Sequence, residues 1–494
     1  MNESDIEQTR PVRHCDEAVT AESADAMPLS GVAIEARGEG AAAEHARRLL
    51  QELGARPEND RGQRRTVLVD SRSAVRAWAD SGAMALTGRA GGPPMVSPGA
   101  PAAATGAALA LLAALRPPDG SSALPWPGVE VLGERAALFG RGRNAPWSVG
   151  GAFRMFPTMH GYLGISLPRQ DDFALLPALV EGEVGGAPWQ AVAEWARTCS
   201  AEDAAARAQL LGIAAAAVPD TPGMPQDEQF RHRGGRGIVV RPGGFRQHRR
   251  AEPVVVDLTS LWAGPLCAHL LGRTGAHIVK VESTRRPDGA RSGCRDFFDL
   301  MHAEHACVAI DLNTAEGVET LQRLIDVADL VLEASRPRAL RQLGIDAESA
   351  VAGGTNWLSI TAYGRTGPWS DRVGFGDDVA AAAGAVVFDG CEVLPCGDAL
   401  ADPVAGVHAA VAAAAVLSSD RAFLVDLSMR DVVAATLRNR VEPHEVVNGP
   451  DDLWHVRTAD AEFPVAAPRA RHAPTAAAAL GADTQKTLSR WLSG

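Results

Sequence analysis

The chain resembles itself. Val32-Ala-Ile-Glu35 is an apolar run ending in an acid, followed by a glycine-containing turn and a helical pattern ending Arg48-Leu-Leu-Gln-Glu-Leu-Gly54-Ala55. Much later, Val254-Val-Val-Asp257 leads through Ala263-Gly264-Pro265 into a helical pattern ending His269-Leu-Leu-Gly-Arg-Thr-Gly275-Ala276. The order continues: Ser81–Gly88 precedes a loop and the alanine-rich helix Gly106–Leu115, as Ala383–Gly390 precedes a loop and the alanine-rich helix Gly406–Leu417. Shared alanine-rich composition would produce some likeness, but agreement in order and spacing points to duplication. We therefore divide the chain into a tail (1–30), an N-terminal unit (31–225), a basic linker (226–252) and a C-terminal unit (253–494).

The seam holds Arg231, Arg233, Arg236, Arg241, Arg246, Arg249 and Arg250 among glycines and histidines. An RNA-binding arginine–glycine segment is one reading; a solvated linker, docked in part through Ile238-Val-Val240, is the one we take forward. A formal net charge of -12 argues against nucleic acid as a partner, because a phosphate backbone requires net positive charge. The 7 cysteines are odd in number and contain no CxxC pair, so neither a disulfide framework nor a zinc site is expected; reduced thiols and a cytoplasmic setting follow. Residues Met1–Ser30 are polar and acidic, unlike a signal peptide. The apolar stretches Ala102–Leu115 and Ala405–Leu417 are too short and alanine-rich to span a bilayer and read as buried helices.

From Pro253 onward, strands and helices alternate. Val254–Leu258, His277–Glu282, Ala306–Leu312, Leu330–Leu332 and Trp357–Ile360 have strand character, and Gly264–Arg273 is helical with Pro265 in its first turn. Asn313-Thr-Ala-Glu316 predicts a capped helix to Val327, with Asn313 as N-cap. Such alternation predicts an α/β fold with mostly parallel, Rossmann-like sheets and a smaller α+β domain, with ligands at the carboxyl ends of the strands. Arg336 and Arg341 follow one of those ends, and the helix start at Gly264 offers partial positive charge to a phosphate. The residues alone thus suggest a binder of an anionic cofactor.

Several segments together resemble the class III CoA-transferase family, which includes formyl-CoA transferase, carnitine CoA-transferase and α-methylacyl-CoA racemase. They are Val254–Pro265, Gly275–Glu282, Ala309–Gly317, Ala328–Glu333 with Arg336-Pro337, Tyr363-Gly-Arg-Thr-Gly-Pro368, Val425-Asp-Leu-Ser428 and the tail from Pro468. The first half is similar more weakly, through Ser81–Pro94 and the small-domain-like His160–Ser166 and Leu175–Val180. The resemblance implies two diverged, complementary copies in one chain, forming an intrachain pseudo-dimer or a homodimer of such chains.

It further implies coenzyme A as the acyl-CoA substrate and a carboxylic acid acceptor; with the cysteine spacing, charge and short apolar stretches above, no metal, nucleic acid or membrane partner is expected. An aspartate attacks the thioester, and CoA passes between acids through aspartyl anhydride and thioester intermediates. Asp389 in Phe388-Asp389-Gly390 matches the nucleophile's position, although Asp-Gly is also a common turn pair. A racemase-like site would use Asp377 and Asp378, which equally suit a helix N-cap and first turn. For CoA, the resemblance implies Trp262 and Ala263 beside the adenine, Leu312 and Ala334 as pocket walls, and Lys280, Arg285, Arg336 and Arg341 as basic groups. Three functions stay open: CoA transfer between acids, α-proton chemistry on acyl-CoA, and acyl-CoA binding without turnover.

Overall fold

The computed structural model describes residues 26–55, 65–116, 126–449 and 453–492. The expected tail lies mostly outside these residues; of its last part, Met27–Ser30 form a turn whose Leu29 is fully buried.

A seven-stranded sheet organises the second half. Its order is Ile238–Phe245, Arg421–Ser428, Asn356–Thr361, Leu330–Glu333, Val254–Asp257, His277–Ser283, Ala306–Ile310. All pairings are parallel except that of the edge strand Ile238–Phe245, which runs antiparallel to Arg421–Ser428. The central strands are rich in valine, leucine and isoleucine and are buried on both faces, as a parallel sheet covered by helices requires. Helix Ala315–Val327 is capped by Thr314, whose hydroxyl accepts from Gly317 N, and not by Asn313; Asn313 bonds Asp311 instead.

The basic linker is folded in, contrary to a solvated reading of 226–252. Glu228–His232 is a helix, and the expected docked run became an eight-residue edge strand. Arg233 is buried and pairs with Asp426 at 2.7 Å and Asp431 at 3.1 Å. Gln229, wholly buried, donates to the carbonyls of Tyr363 and Thr366, each at 2.8 Å, and accepts from Trp369 N at 3.0 Å. The linker therefore pins the 363–369 loop. Gly367, at φ +95, leaves room for this: a Cβ there would lie 2.4 Å from Gln229 Oε1.

The repeat is realised in pieces. Helix Gly40–Glu52 packs on Pro101–Leu115 in the first half as Ala263–Arg273 packs on Ala401–Ser418 in the second, and the two alanine-rich helices pack on each other. Gly406 permits close approach, since a Cβ there would sit 2.6 Å from the Ala263 carbonyl oxygen. The sheets differ, however. Described residues of the first half form only the parallel pair Ile34–Arg37 and Arg65–Leu68 and an antiparallel three-stranded sheet, Phe153–Pro157, Tyr162–Ser166 and Ala214–Ala217. Duplication of the whole unit is not what this topology displays. Helix Ala401–Ser418 is long and apolar enough to cross a bilayer, and 78% of it is buried inside the fold.

Candidate functional site

A cleft of about 360 Å³ opens at the carboxyl ends of the parallel strands. Ala263 and Gly264 follow the first of them, Ala334 and Arg336 the Leu330–Glu333 strand, and Thr361 ends another. Asp402 lines the same cleft, and Arg169 reaches it from the first half.

Behind Asp402 stand two further carboxylates. Asp398, 1% exposed, receives a fork from Arg135 of the first half, with Nε donating to Oδ2 at 2.9 Å and Nη2 to Oδ1. Asp377 accepts from Ala399 N at 2.9 Å. That bond holds Ala399 in a left-handed conformation, φ 43, costly for a residue with a Cβ and found mostly where surroundings enforce it. The first turn of helix Ala401–Ser418 places Asp402 near its positive end. Burial pushes the Asp377 carboxyl up to about 6 against the pull of Arg135, with Asp398 adding to the rise. Burial likewise pushes Asp402 up to about 7, again opposed by Arg135 and reinforced by Asp377 and Asp398. Three carboxylates and one guanidinium thus share a partly dry corner, with two carboxyls able to exchange protons near neutral pH.

The expected site residues divide. Ala263, Ala334 and Arg336 share the cleft lining. Trp262 is buried, edge-on to Phe297 at 5.6 Å, with the Arg135 guanidinium 4.9 Å from its ring centroid. Lys280 is wholly buried; its ammonium donates to Asp288 at 3.0 Å and to the Thr259 carbonyl, and lies 3.9 Å from Asp257. Arg285 is exposed and pairs with Asp311 at 3.3 Å. Leu312 packs half-buried against the core cluster that includes Val308 and Ile310 and does not line the cleft, and Arg341 is exposed at the end of helix Pro337–Arg341. Asp389 ends strand Val386–Asp389 of a hairpin whose two-residue turn includes Gly390 at φ +61; it is ion-paired to Arg89 at 2.6 Å and does not line the cleft. Asp378 sits in the first turn of helix Gly376–Ala382, where Ser166 Oγ donates to it at 2.7 Å and Phe375 N at 3.0 Å. Burial pushes its carboxyl up to about 7.

Asp398, Asp402 and Arg135 escaped the sequence reading. Gly397-Asp398-Ala-Leu-Ala-Asp402 just before an alanine helix was the available signal, since acids favour helix starts; nothing local marks Arg135 as their partner. Asp257, His302 and His305 also place ligand-type atoms within 4.8 Å of one another, but the Lys280 ammonium already supplies the positive charge there.

Parallel strands, a ligand cleft at their carboxyl ends and acids beneath it define an α/β protein of the Rossmann-like class. Residues 251–490 match the model of CoA-transferase family III, and this segment of the chain belongs to that family. It is 29% identical over 208 residues to succinyl-CoA–D-citramalate CoA-transferase of Chloroflexus aurantiacus, covering 39% of this chain and 52% of the relative. It is 28% identical to succinate–glutarate CoA-transferase of Agrobacterium fabrum, covering 38% and 52%. The chain therefore spans about half the length of these curated relatives. Among solved structures, it is similar to a CAIB/BAIF family protein from Brucella suis, at 23% identity and a TM-score of 0.38, covering 42% of this chain and 65% of that one.

Proposed function

We propose that the chain transfers CoA between carboxylic acids, with acyl-CoA in the strand-end cleft and Asp402 as nucleophile. The observation that carries this is that Asp402, of the three neighbouring carboxylates, is the one that lines the cleft, at the start of helix Ala401–Ser418. Asp402 attacks the thioester carbonyl; the C–S bond breaks, CoA leaves as thiolate, and an acyl-aspartyl anhydride remains. The thiolate then attacks the aspartyl carbonyl, releasing the first acid and leaving an aspartyl-CoA thioester. The second acid's carboxylate attacks that thioester to form a new anhydride. Thiolate attack on its acyl carbonyl yields the new acyl-CoA and restores Asp402. Arg336 and the start of helix Ala263–Arg273 suit the CoA phosphates, and Trp262 supports Arg135 from beneath rather than meeting the adenine. The burial of this corner would keep water from the anhydride.

Incubation with succinyl-CoA and hydroxylamine, followed by peptide mass mapping, tests the assignment. A hydroxamate on Asp402, with exchange lost at least ~10³-fold in Asp402→Asn, is expected. A hydroxamate on Asp389 or Asp398, or undiminished exchange in Asp402→Asn, refutes it. The raised carboxyls of Asp377 and Asp402 favour a second reading, α-proton exchange on acyl-CoA. Deuterium entering the α-carbon without CoA exchange would select it.

A further inference from the structure

A second cavity, about 650 Å³, lies between helix Ala201–Leu210, residues 216–231 and the Trp369–Arg372 loop. Three arginines line it: Arg231, Arg372 and Arg430. Arg430 is fully buried. Its Nη1 donates to Asp227 at 2.6 Å and its Nε to Asp431 at 2.6 Å, yet Nη2 is buried with no hydrogen-bond partner among the described residues. A buried guanidinium N–H without an acceptor is costly, so a group able to accept from it would bind favourably. Arg372 is half-buried, its guanidinium 3.6 Å from the Trp369 ring centroid. Arg372 also lines the strand-end cleft, so the two cavities share a wall.

The cavity contains acids too. Asp227 is engaged by Arg430 and by Phe230 N, Glu228 accepts from the Trp369 indole at 3.1 Å, and Asp203 accepts from Ser200. Glu202 and Asp220 stand with the helix and loop side, away in sequence from Trp369, Arg372 and Arg430. The Trp369 side therefore offers donors and a flat aromatic surface, and Ala216, Ala217 and Val218 offer an apolar one.

We propose that this cavity seats a small organic carboxylic acid, its carboxylate held by Arg430 Nη2 and Arg372 and its chain against Trp369. A carboxylate supplies the lone pairs that both guanidinium groups face. The acid thus occupies a compartment of its own beside the acyl-CoA cleft, with Arg372 at the boundary. Its binding is independent of the proposed transfer.

Calorimetric titration of the full chain with butyrate, without CoA, is the direct test, with 1-aminobutane as a cation of equal length. Saturable butyrate binding is expected, weakened by about tenfold or more in Arg372→Ala. It should quench an emission component that Trp369→Phe removes. Because Arg430 is held by two ion pairs, Arg372→Ala is the primary variant, and retention of the wild-type melting temperature shows that it is folded. Butyrate binding unchanged in Arg372→Ala, or preferential binding of 1-aminobutane, overturns the site. Arg372-dependent butyrate binding with no exchange of CoA removes the transfer reading and leaves the carboxylate site.

Discussion

Asp378 illustrates how one buried carboxyl couples position to pH. Its carboxyl is pushed up to about 7 by burial, while Ser166 and Phe375 donate to Oδ1 and pull the other way. Between ~pH 4 and 7 the folded chain keeps a proton that the unfolded chain has lost. Its stabilising contribution is therefore full below about pH 4 and is lost as pH rises through 7. Asp378→Asn keeps an acceptor for Ser166 and removes the ionisation. The variant's stability relative to wild type should improve from pH 5 to pH 8 by on the order of 2–4 kcal/mol, read from denaturant unfolding. A difference that does not change with pH would show that this carboxyl is not so perturbed. At this scale the sequence carried part of the site. Asp377 and Asp378 stood out as helix-start acids, and Ala263, Ala334 and Arg336 as strand-end residues. Asp398 did not, because its distinguishing feature is a guanidinium 263 residues earlier in the chain.

Helices and strands were the most legible level. The Val254–Glu333 region alternates as its apolar runs predict, since buried parallel strands and one-faced helices leave different periodicities. The cap of helix Ala315–Val327 shows the limit of such reading: Asn313 and Thr314 are both good cap residues, and backbone geometry selects Thr314. Thr314→Ala should cost ~1 kcal/mol in urea unfolding and Asn313→Ala less than half of that; the reverse order would return the cap to Asn313. Gly406 makes a complementary prediction for packing. Gly406→Ala would force a Cβ to within 2.6 Å of the Ala263 carbonyl, so the helices must separate. A loss of about 1–3 kcal/mol is expected from calorimetric melting, against a small gain if helix propensity alone mattered.

The two halves are held together by charged groups that neither could bury alone. Arg135 pairs with Asp398, and Arg471 forks onto fully buried Glu134 while bonding His269 at 2.8 Å. His45 meets His408 at 2.7 Å, and burial keeps both imidazoles well below their ordinary range. Residues 253–494 alone would expose Asp398 and the alanine helix and lose the edge strand Ile238–Phe245. Expressed alone, that segment should lack cooperative unfolding, and co-expression with residues 1–252 should restore it; a cooperative transition in the isolated segment would contradict this dependence. Arg471→Ala should destabilise the full chain by ~3 kcal/mol, because Glu134 would stay buried without its partner.

The sequence by itself determined the α/β alternation, the strand ends that line the cleft and the family segment, because periodicity, caps and short motifs are local properties of the chain. Tertiary structure alone decided that the arginine-rich linker is a sheet edge, that Asp389 belongs to a surface hairpin, and that Asp398 meets Arg135. The physical reason is that burial and charge pairing depend on residues distant in sequence, and only the folded chain brings those together.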